Sequence, residues 1–329
     1  MRLTLREQEI INMLKKNPLI SQDDLAQTFG ITRSSVAVHI SNLMKKGIIR
    51  GKGYVFNEEA SVVILGECFL EININHDGQL DSNIDVKYRG VPIELGSVFC
   101  SYGIKPEVLT FIGNDEIGGL FLNQLESLEV NIANVYKHQN KRTGRRVYIN
   151  NELTFLENMT WEDYQKAITT REWMIFNCDW LVVEYKFAQE VAKRALNKKE
   201  DNLPGFCTYQ VIDGGDDIPD YLSQYTLVVL GMDSIHPNEK LINRLIELNT
   251  NPEQIFIITD GKSEIIAVNG NKHYSFPLLP NQNFSIYNKL SFFLAGLIYG
   301  ASNNHALRQS IRIAIGTTSS ASEPQKRIT

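Results

Sequence analysis

The sequence predicts an α/β fold with a central, mostly parallel sheet, joined to a small N-terminal helical domain. From about residue 60, short runs of β-branched residues alternate with helical patterns, which is typical of a sheet covered by helices on both faces. The first 56 residues carry helical patterns and an excess of basic residues instead. We therefore predict two domains, residues 1–56 and residues 57–329. The predicted strands are Ser61–Leu65, Glu107–Ile112, Trp180–Val183, Thr226–Leu230 and Ile255–Thr259.

The composition is that of an ordinary globular protein: 43% of the 329 residues are hydrophobic and 22% are charged. The four cysteines lie far apart, with no CxxC pair and no metal-ligand spacing with the six histidines. We therefore expect reduced thiols, a cytoplasmic location and no metal site. The N-terminus has no apolar signal core, and no apolar run is long enough to span a membrane, so no membrane association is expected.

Charge divides the chain at the same place as the fold pattern. Residues 1–56 contain nine basic and four acidic residues, a net charge of +5, whereas the whole chain carries −5. The remaining residues therefore hold 24 basic and 34 acidic side chains. A basic module on an acidic body indicates that a polyanion binds only the first part.

Three helix start signals occur in the basic module. A capping box at Thr4, followed by apolar residues at helical spacing, predicts a first helix over about residues 6–16. Ser21 starts a second short helix that Gly30 ends, and Thr32 caps a third. The module is therefore predicted to contain three helices with a tight glycine turn between the second and the third.

The third predicted helix has an apolar side, formed by Val36, Ile40 and Leu43, and a polar side. Residues 48–56 then read as a hairpin with a basic tip at residues 50–53. Two short helices, a polar-faced third helix and this hairpin resemble the winged helix-turn-helix, whose third helix enters the major groove.

The resemblance implies that the module binds a double-stranded DNA operator. Basic side chains are expected to contact phosphates, and short polar or imidazole side chains to contact base edges. The phosphate-contacting residues are predicted to be Arg33, Lys45, Lys46, Arg50 and Lys52, and the base-contacting residues Ser34, Ser35 and His39. A helical bundle that makes only protein contacts is the alternative, which the basic hairpin disfavours.

Several segments of the large domain resemble the ribokinase-like (PfkB) sugar and nucleoside kinases, in the same order along the chain. Residues 111–118 (FIGNDEIG) are similar to the family's Gly-Asx-Asp-x-x-Gly turn, residues 62–67 to its opening strand, and residues 293–300 to the helix after its catalytic loop. The resemblance spans roughly residues 60–316 and implies a ribokinase-like three-layer α/β/α domain. Strand-like segments around residues 72–88 and 145–155 are predicted to form a small β lid.

The family's phosphoryl-transfer residues are missing from the matching positions. Where the family has Gly-Ala-Gly-Asp, this chain has Asn288-Lys289-Leu290-Ser291. The glycines open backbone N–H groups to phosphate and the Asp accepts the substrate proton, so we predict no catalytic residue, with Ser291 at the position of the base. Glu264 replaces a glycine of the nucleotide-side motif. Residues 236–239 (HPNE) are the candidate for a shifted form of the motif that serves phosphate and Mg²⁺ in the family.

On the substrate side, the resemblance predicts a ligand-binding pocket. Glu71 stands where the family has a sugar-binding Asp, and Gly90 and Glu94 occupy the family's Gly-Gly-x-x-x-Asn motif. Arg145 and Arg146, near the lid, are predicted to meet a phosphate. Simple surface charge is the alternative interpretation of the four charged residues.

We therefore predict a transcriptional regulator whose degenerate kinase-like domain senses a sugar, a nucleoside or one of their phosphates. A homodimer is expected because operators are usually two-fold. The alternative is an active sugar or nucleoside kinase that uses Mg·ATP and resembles winged-helix pseudouridine kinases; in the regulator interpretation no cofactor is required. A third possibility is a structural adaptor that binds neither DNA nor a metabolite tightly.

Overall fold

The computed structural model describes residues 4–17, 20–45, 49, 61–76, 82–197, 203–212, 218–233 and 239–320. The chain separates into two compact units, Met1–Ala60 and Ser61–Thr329. The predicted domain boundary after residue 56 and the predicted basic hairpin tip lie outside the described residues. In the part described, no helix is both long enough and apolar enough to cross a membrane.

Three helices form the described part of the N-terminal unit, and they are the three that the sequence predicts. They are α1 (Leu5–Lys16), α2 (Gln22–Phe29) and α3 (Arg33–Lys45). The capping box of α1 is present, because the Thr4 hydroxyl accepts the Glu7 N–H and the Glu7 carboxylate accepts the Thr4 N–H. Gly30 ends α2 with a φ of 62°, in the left-handed region that favours glycine.

The described residues of this unit form one small apolar cluster. Leu14, Leu25, Val36 and Leu43 are fully buried, and Ile40 is nearly so. The inner side of α3 is therefore the one that the sequence predicts, which leaves the opposite side of α3 to the solvent.

The large unit contains fourteen strands in its described residues. In chain order they are β1 (Val62–Leu65), β2 (Cys68–His76), β3 (Ser82–Gly90), β4 (Glu107–Leu109), β5 (Phe111–Gly113), β6 (Tyr136–His138), β7 (Gly144–Ile149), β8 (Glu152–Glu157), β9 (Trp180–Glu184), β10 (Gly205–Val211), β11 (Leu227–Gly231), β12 (Ile255–Thr259), β13 (Glu264–Asn269) and β14 (Lys272–Pro277). Eight of them form the central sheet, in the order β14-β13-β12-β11-β10-β9-β1-β4. Its pairs are parallel except those that join β13 to β12 and to β14.

Helices cover both faces of the central sheet. They are α4 (Val91–Ser101), α5 (Glu116–Ser127), α6 (Trp161–Thr170), α7 (Glu172–Ile175), α8 (Tyr185–Leu196), α9 (Glu239–Leu248), α10 (Ile286–Ser302) and α11 (Leu307–Ser320). Alternate residues of β1 enter different cores: Ile64 packs with α4, α5, α10 and α11, whereas Val63 packs with α6 to α9. Burial on both faces explains why its strands β1, β9, β11 and β12 are almost continuously apolar.

A second, four-stranded sheet in the order β3-β2-β7-β8 forms the lid that the sequence predicts. β2 follows β1 after only two residues, and β3 leads directly into α4. The lid therefore grows out of the carboxyl end of β1 and returns to the body at the start of α4.

The structure contains strands that the sequence does not predict, β10 among them, and it divides one that the sequence predicts. The run Glu107–Ile112 forms two strands, because β5 leaves the central sheet and pairs with β6 instead. The segment from Thr317 to Ser320 forms the end of α11, and Thr317 is buried. Small residues allow this close packing: a Cβ on Gly296 of α10 would lie 2.4 Å from the Thr317 hydroxyl.

Candidate DNA-binding helix and ligand cleft

The outer side of α3 is a stripe of small, uncharged side chains. The exposed positions Ser34, Ala37, Val38 and Ser41 recur at the spacing of one helix face, and Val38 is 59% exposed. Small side chains let a helix lie close to base edges in the major groove, where apolar groups can contact the thymine methyl. The outer side of α3 therefore has the small side chains that a helix in the major groove requires.

The predicted DNA-contacting residues of α3 have different surroundings. The Arg33 guanidinium lies 3.6 Å from the Asp23 carboxylate, but both side chains are more than 65% exposed, so the pair is weak. The Ser35 hydroxyl lies 2.9 Å from the Thr32 hydroxyl at the helix cap and is therefore used locally. His39 is half-buried at the edge of the exposed stripe.

Lys45 is the last residue of α3, whereas Lys46, Arg50 and Lys52 lie outside the described residues. Sequence reasoning did not select Ala37, Val38 and Ser41 because it did not follow helical spacing along the exposed side of α3. Helical spacing from Ser34, at three, four and seven residues, is the signal that identifies them.

In the large unit, charged side chains gather where β1 and β9 end and the lid begins. The carboxyl ends of parallel strands meet at one edge of a sheet, which is the usual place of ligand sites in such folds. The residues of this cleft are Glu71, Arg89 and Arg146 from the lid, and Glu67, Glu94, Glu184, Lys186, Tyr209 and Ser291 from the body.

Arg89 links the lid to α4. Its Nε lies 3.9 Å from the Glu71 Oε1, and its Nη1 lies 3.6 Å from the Glu94 Oε1. The Ser291 hydroxyl donates to the Glu94 Oε2 at 3.2 Å. The predicted residues Glu71, Glu94 and Ser291 therefore lie in one chain of polar contacts that runs from β2 to α10.

Glu67 links β7 of the lid to the body. Its carboxylate accepts hydrogen bonds from Lys186 Nζ at 2.6 Å, from Arg146 Nη2 at 3.3 Å and from the Tyr164 hydroxyl. The Arg146 guanidinium also lies over the Phe69 ring, 3.5 Å from its centroid. The Glu67 side chain is only 5% exposed, so these partners compensate the free-energy cost of burying its charge.

A second carboxylate crowds Glu67. Glu184 Oε2 accepts the backbone N–H of Glu67 at 2.6 Å. Burial and the neighbouring Glu67 carboxylate raise the pKa of Glu184 to about 7, although Arg146 and Lys186 oppose this shift. Glu184 is therefore partly protonated at neutral pH, and a titration perturbed in this way within a cleft is characteristic of a functional site.

Tyr209, on β10, connects the two polar groups. Its hydroxyl hydrogen-bonds to Ser291 and lies near Glu94 and Glu184, and burial raises the pKa of Tyr209 well above its ordinary value. Sequence reasoning missed Tyr209 because β10 was not predicted. It missed Glu67 and Glu184 because residues at strand ends carry no local pattern of their own; the position after a buried strand is the available signal.

Gly90 joins β3 to α4 with a φ of 134°. A Cβ at this position would lie 2.1 Å from the Glu67 carbonyl oxygen, so the backbone alone requires glycine here. Its role in ligand binding stays a prediction.

Arg145 lies on the opposite face of the lid from Arg146. Its guanidinium donates to Asp115 Oδ2 at 3.0 Å and to Glu157 Oε2 at 2.6 Å. Asp115 caps α5 by accepting the Gly118 N–H. We therefore assign Arg145 to the scaffold, and only Arg146 of the two predicted arginines borders the cleft.

α10 begins before the residues that match the family's phosphate-binding motif. Its cap is Ser285, and the Lys289 N–H donates to the Ser285 carbonyl at 2.9 Å. Residues 288–291 therefore lie within the helix, where the N–H groups from Lys289 onward are used by the preceding turn. Ser291 is 3% exposed.

The turn after β12 is closed on itself. The Asp260 carboxylate accepts the N–H groups of Lys262 and Ser263 at 2.8 and 2.7 Å. Glu264, at the position of the family's second glycine, accepts a hydrogen bond from the Ser275 hydroxyl.

Residues 236–238 lie outside the described residues, and Glu239 is the first residue of α9. Across the described ranges, no three or more His, Cys, Asp or Glu side chains are grouped so that they could hold a metal ion.

Comparison with known proteins supports both units. Residues 3–50 match the model of the winged helix-turn-helix DNA-binding family. The uncharacterized sugar kinase YeiI of Escherichia coli K12 is 31% identical over 160 residues, which are 44% of this chain and 42% of that protein. The chain thus matches less than half of that relative's length.

Solved structures show the same fold at low sequence identity. Arabidopsis thaliana ribokinase, complexed with ribose and ATP, has a TM-score of 0.58 and 12% identity, over 79% of this chain and 92% of that one. The nucleoside kinase of Burkholderia thailandensis, in complex with inosine, has a TM-score of 0.58 and 11% identity, over 79% and 90% of the chains. The protein therefore combines an N-terminal winged helix-turn-helix with a sugar kinase-like region of ribokinase-like fold.

Proposed function

We propose that this protein is a DNA-binding transcriptional regulator whose large domain senses a small sugar or nucleoside metabolite, dimerises and does not transfer phosphate. The observation that carries the proposal is the start of α10. A winged helix-turn-helix is joined to a kinase-like domain in which Ser291, with no carboxylate, lies inside the helix at the position of the family's base.

The residues present do not fit Mg·ATP chemistry. An anion cradle needs free N–H groups at the family's motif, but the N–H groups of this chain's matching residues from Lys289 onward bond within the helix, and the Leu290 side chain replaces a glycine. Glu264 adds bulk and negative charge on the nucleotide side. Loss of a general base removes roughly 10²- to 10⁴-fold in rate, and loss of an oxyanion-type cradle a comparable factor.

The cleft is nevertheless suited to a polar ligand. Carboxylates and guanidinium groups can hydrogen-bond several hydroxyls at once, and here they are held together by ion pairs that cross from the lid to the body. A ligand that replaces the contacts of Arg89 with Glu94, or of Arg146 with Glu67, changes what holds the lid in place. Such a ligand favours one lid position over another and can thereby bias DNA binding.

The first test is thermal unfolding of the full chain with a panel of sugars, nucleosides and their phosphates, with and without Mg·ATP. A ligand at about 100 times its Kd raises the free energy of unfolding by about 2.7 kcal/mol. We expect stabilisation by a metabolite, none by Mg·ATP alone, and a change in affinity for duplex DNA when that metabolite is bound. A panel that leaves both stability and DNA affinity unchanged contradicts the sensor proposal.

Two variants of lid arginines localise the ligand. Arg89→Gln removes the link between Glu71 and Glu94 and is expected to abolish the stabilisation by the metabolite. Arg145→Gln is the matched control, since Arg145 lies on the other face of the lid and pairs with Asp115 and Glu157. Equal loss in both variants would place the ligand elsewhere.

One observation favours an active kinase as the second candidate. The Glu94 carboxylate lies 3.2 Å from the Ser291 hydroxyl, so an acid is present beside the position of the missing base, although it is carried by α4. If Glu94 serves as the base, the purified protein releases ADP with a sugar or nucleoside of the panel, and Glu94→Gln stops this release. Absence of ADP release across the panel contradicts the active-kinase alternative and supports the regulator proposal.

A further inference from the structure

The middle of α3 carries few of the side chains that usually recognise bases. Residues 34–44 (SSVAVHISNLM) contain no arginine, lysine or glutamine, and the basic residues Arg33 and Lys45 stand at the two ends of the helix. Arginine or lysine is the commonest partner of guanine, and asparagine or glutamine is the usual partner of adenine. His39 and Asn42 are both half-buried. The fully exposed positions within this segment therefore offer hydroxyl and apolar groups to DNA.

Val38 occupies the centre of the outer side of α3. It is 59% exposed, its neighbour Ala37 is also exposed, and Ser34 and Ser41 lie one turn before and one turn after it. Single exposed apolar residues are common on protein surfaces, so exposure alone assigns no role. However, valine is less favourable than alanine in an exposed helix, because its branched Cβ restricts χ1. Local helix stability therefore does not explain a valine at this position.

The chemistry of Val38 matches one feature of the major groove. Thymine presents a 5-methyl group there, and apolar side chains recognise it by contact. A valine in a helix keeps essentially one χ1 rotamer, so its two methyl groups are already positioned before binding. The small side chains on either side let the helix backbone come close to the bases. Burial of one methyl group between apolar partners corresponds to about a fourfold change in affinity.

We propose that Val38 is a specificity-determining residue, whose isopropyl group packs against the 5-methyl group of a thymine in each operator half-site. The inference rests on the proposed function and goes beyond it, because it names the base feature that α3 recognises. The occupant is duplex DNA, since residues 3–50 match the winged helix-turn-helix DNA-binding family and residues 1–56 hold nine basic and four acidic residues. The basic side chains supply affinity through phosphates, and Val38 supplies selection.

Removal of one methyl group from the DNA tests this contact. The full chain first selects its site from a pool of random duplexes, and each thymine of one selected half-site is then replaced singly by uracil, which lacks only the 5-methyl group. Affinities are measured by fluorescence anisotropy. For the wild type we expect about a fourfold loss at one thymine position. Val38→Ala should weaken binding to the unmodified site by about fourfold or more and lose no further affinity when that thymine is replaced.

Leu5→Ala is the matched control, because Leu5 is an apolar residue of the same unit, is 87% exposed and lies on α1. It should keep the full response to uracil. Val38→Ala should also keep the wild-type dependence of affinity on salt, since Val38 contacts no phosphate in the proposed complex. Circular dichroism checks that both variants fold, which is expected because both positions are exposed and alanine favours a helix.

Three outcomes overturn the inference: a selected site at which no uracil replacement weakens the wild type, a Val38→Ala variant that keeps the wild-type response to uracil, or a loss of that response in Leu5→Ala as well. Each of these leaves the proposed function standing, because the full chain has still selected a DNA site. Absence of salt-dependent binding to any duplex has a different meaning: it defeats the proposed function, and the inference with it.

Discussion

Asp115 and Glu184 are two carboxylates of the same domain with opposite electrostatic surroundings. Burial disfavours the charge of Asp115, but hydrogen bonds from the Thr143 hydroxyl and the Gly118 N–H, with Arg145 nearby, outweigh it and lower the pKa of Asp115. Desolvation also disfavours the charge of Glu184, and the neighbouring Glu67 carboxylate adds to this effect, so the pKa of Glu184 is raised to about 7.

The difference separates the scaffold from the cleft. At Asp115 the carboxylate charge is compensated by hydrogen bonds from neighbouring protein groups, so no ligand is needed to stabilise it. In the cleft, Glu67 and Glu184 lie close together and share the positive charges of Arg146 and Lys186. A bound ligand that supplies further hydrogen-bond donors would stabilise these two carboxylates. If this comparison is correct, substitutions on the two sides have different dependences on pH.

The largest expected effect is on the scaffold side, from Gly113→Ala. A Cβ at Gly113 would lie 2.3 Å from the Lys141 carbonyl oxygen and 2.5 Å from the Thr143 nitrogen, so the turn has to open. We expect a loss of about 3 kcal/mol or more in the free energy of unfolding, measured by urea denaturation.

Gly119→Ala, on α5, is the control for Gly113→Ala, because no atom lies within 4 Å of its added Cβ. Ala favours a helix by about 1 kcal/mol over Gly, so this variant is expected to be neutral or more stable. Similar losses in both variants would show that the turn does not depend on the close approach at Gly113.

Ser291→Asp adds a further acid to the cleft. The new carboxylate would be buried beside Glu94, and the repulsion is expected to cost about 2 to 3 kcal/mol at pH 8. The loss should shrink at pH 5, where one of the two acids takes up a proton. Ser291→Asn is the uncharged control, and an equal loss in both variants at every pH would mean that shape, not charge, is the cause.

Glu184→Gln removes the charge repulsion between residue 184 and the Glu67 carboxylate. Between pH 4.5 and 7 the folded protein holds a proton on Glu184 that the unfolded chain has released, so the wild type loses stability as the pH rises through this window. We expect Glu184→Gln to remove about 2 kcal/mol of this loss, as measured by thermal or urea unfolding from pH 5 to 7.5. Parallel curves for the two proteins would contradict the raised pKa.

Asp115→Asn has the smallest expected effect and the opposite sign. The lowered pKa means that Asp115 stabilises the fold above its ordinary value of 3.8, and that this contribution disappears as the pH falls through the folded pKa. At pH 7 we expect Asp115→Asn to cost about 1 kcal/mol, with the difference from the wild type vanishing in acid. Urea unfolding at pH 7 and at stepwise lower pH tests this, because the difference should begin to shrink below the ordinary value of 3.8.

Much of the N-terminal unit could be predicted from the sequence because its signals are local. Capping boxes at Thr4 and Ser21, the glycine at residue 30 and apolar residues three and four apart define its helices without reference to the rest of the chain. The exposed stripe at Val38 was missed because residue type, and not helical position, was used to choose the base-contacting residues.

In the large domain the sequence alone determined the α/β class, the lid and the absence of an acid at residue 291, since strand patterns and single residues can be read directly. Only the tertiary structure decided that Glu67 and Glu184 meet, although 117 residues separate them, and that Arg145 and Arg146 serve different faces of the lid. A period of two residues divides a strand into two faces, but it does not tell which face meets the body. The answer depends on contacts between elements far apart in the chain: in the lid, Arg89 and Arg146 contact the body from one face, and Arg145 and Tyr88 contact it from the other.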